Sequence, residues 1–257
     1  MQQIQQILNT FESVSLQDLD AVKLQNRIDT KYMLTIQELE QVLHEIQKNQ
    51  KVLEIDDTRL FTYKTVYFDT PDFRFYKDHH NGCINRVKVR CREYVESHLV
   101  MYEIKRKLFG TRTDKQRKVI AQLPEQIPQE DYALIGYKRL NAQPIEKKMT
   151  NEFRRITLTN KEFTERITID LDIRLSNEHE TIHLPEIAVI EVKQGKTDVF
   201  SHTIQVLKKF GIRESSFSKY AIGTALLEKT LKHNAFKPIL LKIEKLKKEY
   251  ANKRITA

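Results

Sequence analysis

The chain of 257 residues has no tryptophan, only two cysteines, and only six residues each of glycine and proline. Cys83 and Cys91 form no CxxC pair and no disulfide framework, which favours a reducing compartment. No apolar run approaches the ~20 residues that span a bilayer, and the N-terminus lacks the basic and apolar regions of a signal peptide. We therefore expect a soluble, cytoplasmic protein that folds as a single domain over residues 1–257.

The charge balance is strongly positive, with 44 Lys and Arg residues against 35 Asp and Glu residues, a formal net charge of +9. Hydrophobic residues make up 40% of the chain, which is enough for a globular core and excludes a disordered or fibrous class. The excess of cations predicts an anionic partner: nucleic acid, a membrane surface or a small polyanion.

Period-2 alternation predicts a strand-rich middle, flanked by helices that carry apolar stripes. Strands are predicted at 27–34, 62–69, 84–94, 99–108, 115–121, 152–159, 164–173 and 188–194. Thr35 is predicted to cap a helix over 36–48, and further helices are predicted at 198–210 and 218–232. This pattern indicates an α+β fold with a large sheet.

The predicted strands concentrate charge on one sheet face. Its members are Arg27, Asp29, Lys31, Arg86, Lys88, Arg90, Arg92, Glu103, Lys105, Lys107, Arg155, Arg166, Asp170, Asp172, Glu191 and Lys193. Cations so close together repel unless an anion lies among them. If the sheet curls into a closed barrel, this charged face becomes its interior, and the helices, which carry apolar stripes, cover its outside.

A phosphate chain fits this face better than nucleic acid does. The sequence has no RNP pattern, zinc-finger spacing or basic zipper helix, and no aromatic residues are predicted on the cationic face for stacking on bases. Phosphates need dense Arg and Lys donors and no stacking surface. Glu103, Asp170, Asp172 and Glu191 are candidate oxygen ligands for a divalent cation.

Eight segments, in order along about 200 residues, resemble the polyphosphate polymerase domain of the vacuolar transporter chaperone (VTC) family, a branch of the triphosphate tunnel metalloenzymes. They are NRIDTKYML (26–34), VYFDTPDFRFY (66–76), VKVRCREY (87–94), YEIKRK (102–107), EFRRITL (152–158), ERITIDLD (165–172), IEVK (190–193) and SFSKYAIG (216–223). The resemblance implies an α+β fold, an antiparallel closed β-barrel with helices packed on its outside. It also implies transfer of the ATP γ-phosphoryl group onto a polyphosphate chain inside the basic tunnel of that barrel.

The resemblance also implies residue roles. The phosphate-gripping catalytic residues would be Lys31, Arg90, Arg92, Lys105, Arg155, Arg166, Lys193 and Lys219. Glu191 would hold one divalent cation, Mn²⁺ or Mg²⁺. Further substrate-binding residues, taken from the same motifs and the charged face, are Arg27, Lys88, Lys107, Lys115 and Ser218, with Arg117 as an alternative to Lys115.

The sequence departs from the family pattern at two places, and it also leaves rival functions open. The paired-glutamate ExExK strand of the wider superfamily is absent, which favours one metal over two, and His79 and His80 stand where a further Arg is expected. Rival readings are a tripolyphosphate or nucleoside-triphosphate hydrolase on the same fold and a non-catalytic polyphosphate-binding module. The resemblance also raises a membrane-protein partner for polyphosphate export or storage, at the inner face of a membrane.

Three further segments have two readings each. His179–His183 matches HExxH, but Pro185 and the flanking strand patterns favour a hairpin over a metalloprotease helix. Gly195-Lys196-Thr197 resembles the end of a P-loop without its first glycine, which favours a turn. Residues 234–257 predict a basic amphipathic helix that either caps the domain or docks on an anionic membrane or on the exiting polyphosphate.

Overall fold

The computed structural model describes residues 1–21, 28–108, 112–137, 143–195 and 201–255. Arg27 and the Lys196-Thr197 pair lie outside these ranges, so their predicted roles are not placed. The strands are β1 (Glu12–Val14), β2 (Ile28–Thr35), β3 (Gln50–Leu53), β4 (Phe61–Asp69), β5 (Arg86–Tyr94), β6 (Leu99–Leu108), β7 (Arg112–Ile120), β8 (Glu146–Asn160), β9 (Glu165–Ser176), β10 (Thr181–Leu184) and β11 (Ile187–Gln194).

The helices are α1 (Gln2–Leu8), α2 (Leu16–Ala21), α3 (Ile36–Ile46), α4 (Arg74–His80), α5 (Tyr132–Ile135), α6 (His202–Lys209), α7 (Lys219–Leu227) and α8 (Lys237–Ile255). The predicted cap of α3 is confirmed. Thr35 Oγ1 accepts a hydrogen bond from the Glu38 backbone N–H at 3.3 Å, and the Glu38 carboxylate accepts one from the Thr35 N–H at 2.8 Å, which forms a capping box.

The main sheet is antiparallel, in the order β2-β11-β9-β8-β4-β5-β6-β7. The α+β class and the large antiparallel sheet are therefore confirmed. The predicted closure of this sheet into a barrel is not confirmed. Within the described ranges β2 and β7 end the ladder, and no pairing joins them.

The outer face of the sheet is apolar and is covered by α1, α3 and α6. Ile167, Ile169, Ile190 and Val192 of the central strands pack in one buried cluster with residues of these helices, such as Leu43. The alternation predicted for these strands thus directs their charged positions to the opposite, concave face.

Helix α7 corrects the expectation that the helices pack on the outside. It packs across one end of the concave face, against Met33, Met149 and Val189, which alternate with charged residues on that same face. Almost every residue of α7 is buried, so it suits an interior position. A Cβ on Gly223 would collide with the sulfur of Met149, so a larger residue here requires the Met149 side chain to move.

A β-bulge changes the face that one predicted residue occupies. Strand β9 has one extra residue opposite Glu152–Arg154 of β8, and Asp172 there has a φ of 53°. Beyond the bulge, Ile173 turns to the concave-face cluster under α7. The prediction that Asp172 joins Asp170 was therefore wrong, because Asp172 instead contacts His183 at 2.6 Å.

The hairpin interpretation of the HExxH segment is confirmed, because β10 pairs with β9 in antiparallel fashion and places His183 opposite Arg174. The predicted C-terminal helix is present as α8, and its Ile243 and Leu246 are buried against the α7 cluster. Among the described residues, no helix is long and apolar enough to cross a membrane.

Candidate phosphate-binding site

Glu103 on β6 gathers cations from its two neighbouring strands, β5 and β7. Arg90 Nε donates to its Oε2 at 2.7 Å, Lys115 Nζ lies 2.6 Å from Oε1, and Arg117 Nε lies 3.3 Å from Oε1. Arg92 lies at the edge of this group, 4.0 Å away. Burial would raise the pKa of the Glu103 carboxyl, but these cations outweigh it and hold the pKa well below its usual range. Glu103 is therefore a buried, permanently ionised counter-charge rather than an available metal ligand.

Asp170 on β9 is the second counter-charge, and it joins the sheet to α7. Arg155 grips it with two hydrogen bonds, Nε to Oδ1 at 2.6 Å and Nη2 to Oδ2 at 2.8 Å, and Lys219 at the start of α7 donates to Oδ2. Burial opposes ionisation here, but the two cations hold the pKa of Asp170 well below its usual range. Burial also lowers the pKa of Lys219 to about 8, against the pull of Asp170.

Glu191 on β11 is the third carboxylate that serves as a counter-charge to the cations. Lys31 of the neighbouring strand β2 donates to one oxygen, and Lys193 Nζ lies 2.6 Å from the other. Lys193 also donates to Thr168 Oγ1 at 2.9 Å, and burial lowers its pKa to about 8. Although burial would raise the pKa of Glu191, Lys193 and Lys31 lower it strongly, so the carboxylate is ionised at neutral pH.

Lys88 and Lys105 lie on the same face but have different neighbours: cations act most strongly on Lys88, whereas Asp29 and Glu191 favour the charged form of Lys105. Lys88 Nζ donates to Ser218 Oγ, the cap of α7, at 2.9 Å. Burial and then the neighbouring cations, Lys105 first, lower the pKa of Lys88 to about 7. Burial also lowers the pKa of Lys105, which is nonetheless accessible to water. Lys88 and Lys105 thus line the charged face without the close carboxylate contacts that Lys193 and Lys219 have.

The remaining predicted residues lie at the margins of this face. Lys107 faces Arg86 across β5 and β6, and both act electrostatically on His79, whose pKa burial lowers to about 3. His79 therefore lies beside the cation cluster but is neutral. The guanidinium of Arg166 donates to the Leu19 backbone carbonyl, which ties this cation to α2.

Aromatic rings beneath the cations were missed from the sequence. Arg155 lies 4.9 Å from the ring centre of Tyr63, Lys219 lies 4.3 Å from that of Phe153, and Tyr67 stacks on Tyr220 of α7 at 5.2 Å. Tyr63 and Phe153 contact the cations by cation–π interaction, and the four rings are buried or half-buried, so they are not a platform for bases. Only the pairing of Tyr67 with Arg90 places the odd positions of β4 on the charged face, because β4 itself carries charges at both parities.

A second missed residue, Asp69, holds the helices that frame the site. Its buried carboxylate accepts backbone N–H bonds from Phe75 at 2.8 Å and Tyr76 at 2.9 Å, at the start of α4, and a hydrogen bond from the Tyr220 hydroxyl of α7. Burial raises its pKa to about 6, although these donors oppose the shift. An aspartate at the end of a strand, a few residues before a helix whose first N–H groups need acceptors, is the sequence signal for this role.

The carboxylates fit a metal ion that is shared with a substrate. Across the described ranges, no three His, Cys, Asp or Glu side chains form a group that could hold a metal by themselves. Mg²⁺ commonly binds one or two carboxylates and takes its other ligands from phosphates and water. Glu191, ionised and on the cationic face, fits that arrangement and does not fit an all-protein cage.

Comparison with known proteins assigns the family. The VTC domain matches residues 26–228, so the chain belongs to the VTC domain family. None of the curated proteins compared matches the sequence.

Several solved structures are similar to this chain at low sequence identity. A putative adenylyl cyclase from Hippeastrum, described as having a dominant triphosphatase activity, is 17% identical with a TM-score of 0.44, over 77% of this chain and 95% of that one. A putative adenylate cyclase from Vibrio parahaemolyticus is 12% identical with a TM-score of 0.44, over 76% and 95%. A protein of Pyrococcus horikoshii is 10% identical with a TM-score of 0.44, over 76% and 98%.

Proposed function

We propose that this protein is a metal-dependent polyphosphate polymerase, a phosphotransferase that moves the ATP γ-phosphoryl group onto a polyphosphate chain. The observation that carries the proposal is the excess of cations on the concave face, where Glu103, Asp170 and Glu191 are each shared by two or more Lys or Arg side chains. Such a face is stable only with anions among its cations, and a phosphate chain supplies one at every unit.

The reaction would be driven by positioning and charge neutralisation. A terminal oxygen of the chain attacks the γ-phosphorus of ATP, the bond from that phosphorus to the β,γ-bridging oxygen breaks, and ADP leaves. Arg90, Arg92 and Arg155 would hold non-bridging oxygens of the two reactants in line. Lys31 and Lys193 would turn from Glu191 towards phosphate as the chain enters.

Glu191 would hold the one divalent cation, Mn²⁺ or Mg²⁺, together with phosphate oxygens. When bound, the ion neutralises charge that develops on the transferred group. The ionised state of Glu191 supports this role, because a protonated carboxyl would not compete for a hard cation.

The partners of the proposed enzyme are ATP and polyphosphate, not nucleic acid, because the aromatic rings beneath the cations cannot stack on bases. We propose that residues 1–257 act as one unit, on the cytoplasmic side of the cell or at the inner face of a membrane, beside a membrane protein that exports or stores the chain. The curled sheet would serve as the channel, although within the described ranges β2 and β7 do not pair.

The test is to incubate the purified protein with ATP and Mn²⁺, and with Mg²⁺ in parallel, and to resolve ADP, free phosphate and long-chain polyphosphate. The expected result is polymer with matching ADP, lost in Arg90→Ala and Glu191→Gln and kept in Lys229→Ala, whose side chain is 79% exposed.

The other outcomes select the rival functions. Free phosphate without polymer indicates a hydrolase that uses water as the acceptor. Chain binding without turnover, unaffected by Glu191→Gln, indicates a non-catalytic binding module.

A further inference from the structure

Helix α8 concentrates positive charge at the surface of the protein. Its 19 residues, Lys237–Ile255, include seven Lys and Arg residues against two Glu residues, so the helix carries +5 of the formal net charge of +9. The match to the VTC domain ends at residue 228, so α8 lies beyond the part of the chain that the family model covers. None of its residues belongs to the cation cluster of the concave face, so the charge of α8 calls for a separate explanation.

The packing of α8 fixes which of its side chains face outwards. Ile243 and Leu246 are buried in the apolar cluster that includes α7, and Ile239 and Leu240 are half-buried against the same cluster. Turning these four residues towards another surface would expose apolar area that is now buried, which is unfavourable. The opposite side of α8 is therefore the side that a partner meets.

The outward side of α8 combines lysines with one large apolar side chain. Leu241 is 60% exposed, and the exposed Lys237 and Lys245 lie one helical turn before and after it. The Lys245 side chain is 74% exposed and contacts Glu249 at 3.6 Å. Lys248 is exposed one turn further along, and in the part of the chain that the structure describes neither it nor Lys237 forms an ion pair. An exposed leucine among such lysines is typical of a helix that meets an anionic surface with an apolar interior.

The leucine distinguishes between the anionic partners that these lysines attract. Polyphosphate offers negative charge but no apolar phase, so Leu241 would stay in water against it. An anionic bilayer offers lipid phosphates to the lysines and acyl chains to the leucine. Each lysine close to such a bilayer contributes about five-fold in affinity, so a few lysines and one leucine give a reversible contact.

We infer that α8 docks this protein on an anionic lipid bilayer through Lys237, Leu241, Lys245 and Lys248. The contact is peripheral, because the helix lies along the headgroups while its inner side stays packed on the domain. The inference is independent of the proposed reaction, since it uses no residue of the concave face and holds equally for a polymerase, a hydrolase or a binding module.

The experiment measures co-sedimentation of the full chain with vesicles of phosphatidylcholine alone and of phosphatidylcholine mixed with phosphatidylglycerol. We expect binding only to the mixed vesicles, and weaker binding as salt is raised. Lys237→Gln combined with Lys248→Gln should weaken this binding at least about ten-fold. Leu241→Ser should weaken it about five-fold, whereas Leu241→Phe should retain it. The matched control, Lys48→Gln combined with Lys161→Gln, removes two exposed lysines outside α8 and should leave binding unchanged.

Two further measurements separate α8 from the concave face and lipid from polyphosphate. Arg90→Ala should leave vesicle binding unchanged, and the α8 double-lysine variant should bind long-chain polyphosphate as the wild type does, by fluorescence anisotropy. Lipid docking by α8 is overturned if the mixed vesicles are not bound, or if Arg90→Ala abolishes vesicle binding while the α8 variants retain it. It is also overturned if the double-lysine variant loses polyphosphate affinity while Leu241→Ser binds vesicles normally, because α8 is then a phosphate-chain surface. The proposed reaction is tested by turnover, so it stands or falls separately.

Discussion

Replacing Glu103 by Gln should lower the stability of the ligand-free protein and tighten its binding of tripolyphosphate. The Glu103 side chain is 3% exposed and is the shared counter-charge of Arg90, Lys115 and Arg117. Glutamine keeps the shape but not the charge, so the cations are left to repel one another. A bound phosphate chain replaces the missing charge and no longer competes with a carboxylate.

The expected loss of stability follows from the burial of the Glu103 ion pairs. Removing one partner of a buried ion pair costs about 3–5 kcal/mol. Because Arg117 is half exposed, we expect the lower end, about 3 kcal/mol. In a protein of this size, each kcal/mol shifts Tm by about 2–4 °C, which predicts a fall of about 6–12 °C. Removing the carboxylate's repulsion of the phosphates contributes about 1 kcal/mol, or roughly five-fold in affinity.

Calorimetric unfolding, with and without tripolyphosphate, measures both effects, and Glu162→Gln is the matched control because Glu162 is exposed. The ligand should restore more of the Tm in Glu103→Gln than it adds to the wild type. The reasoning is refuted if Glu103→Gln leaves the Tm unchanged, or if it weakens tripolyphosphate binding.

Three further predictions concern protons and packing. Since the pKa of Lys88 is lowered to about 7 and those of Lys193 and Lys219 to about 8, phosphate binding should take up protons near pH 8, and affinity should fall as pH rises further. Titration calorimetry in two buffers of different ionisation enthalpy tests this, and Lys88→Arg should reduce the uptake; equal heats in both buffers would contradict it. Because the pKa of Asp69 is raised from 3.8 to about 6, the folded state holds this proton more tightly and stability from this group falls as pH rises from about 4 to about 6. Urea unfolding of Asp69→Asn should lack that dependence and show a loss of about 1–3 kcal/mol at neutral pH, and an unchanged pH dependence would rule the assignment out. Gly223→Ala should cost about 1–3 kcal/mol in urea unfolding and weaken tripolyphosphate binding, because α7 carries Ser218 and Lys219 at its start; full stability would show that Met149 moves aside freely.

Local patterns in the sequence were sufficient for most of the sheet and for the cationic face. The strand predicted at 99–108 is observed with the same bounds, and the predicted alternation of Arg86, Lys88, Arg90 and Arg92 with buried Val87, Val89 and Cys91 is borne out. Strand alternation repeats every two residues along the chain, so it can be read without knowing which strands are neighbours.

The sequence did not reveal which residues pair with the charged residues of this face. Asp172 was predicted beside Asp170, but one extra residue in β9 turned it away, and a bulge depends on pairing with β8. Short strands such as β1 and β3 were missed because three or four residues carry too little periodicity. Which carboxylate serves which cation depends on strand order and on contacts between residues as far apart as Lys31 and Glu191.

The sequence by itself determined that this protein presents a polycationic sheet face, because residue type and period-2 spacing are local properties. The tertiary structure alone decided that α7 lies on the concave face and that three carboxylates each neutralise two or more cations there. Those features depend on how distant segments meet, and the low dielectric of the packed interior sets the strength of their charges only once they have met.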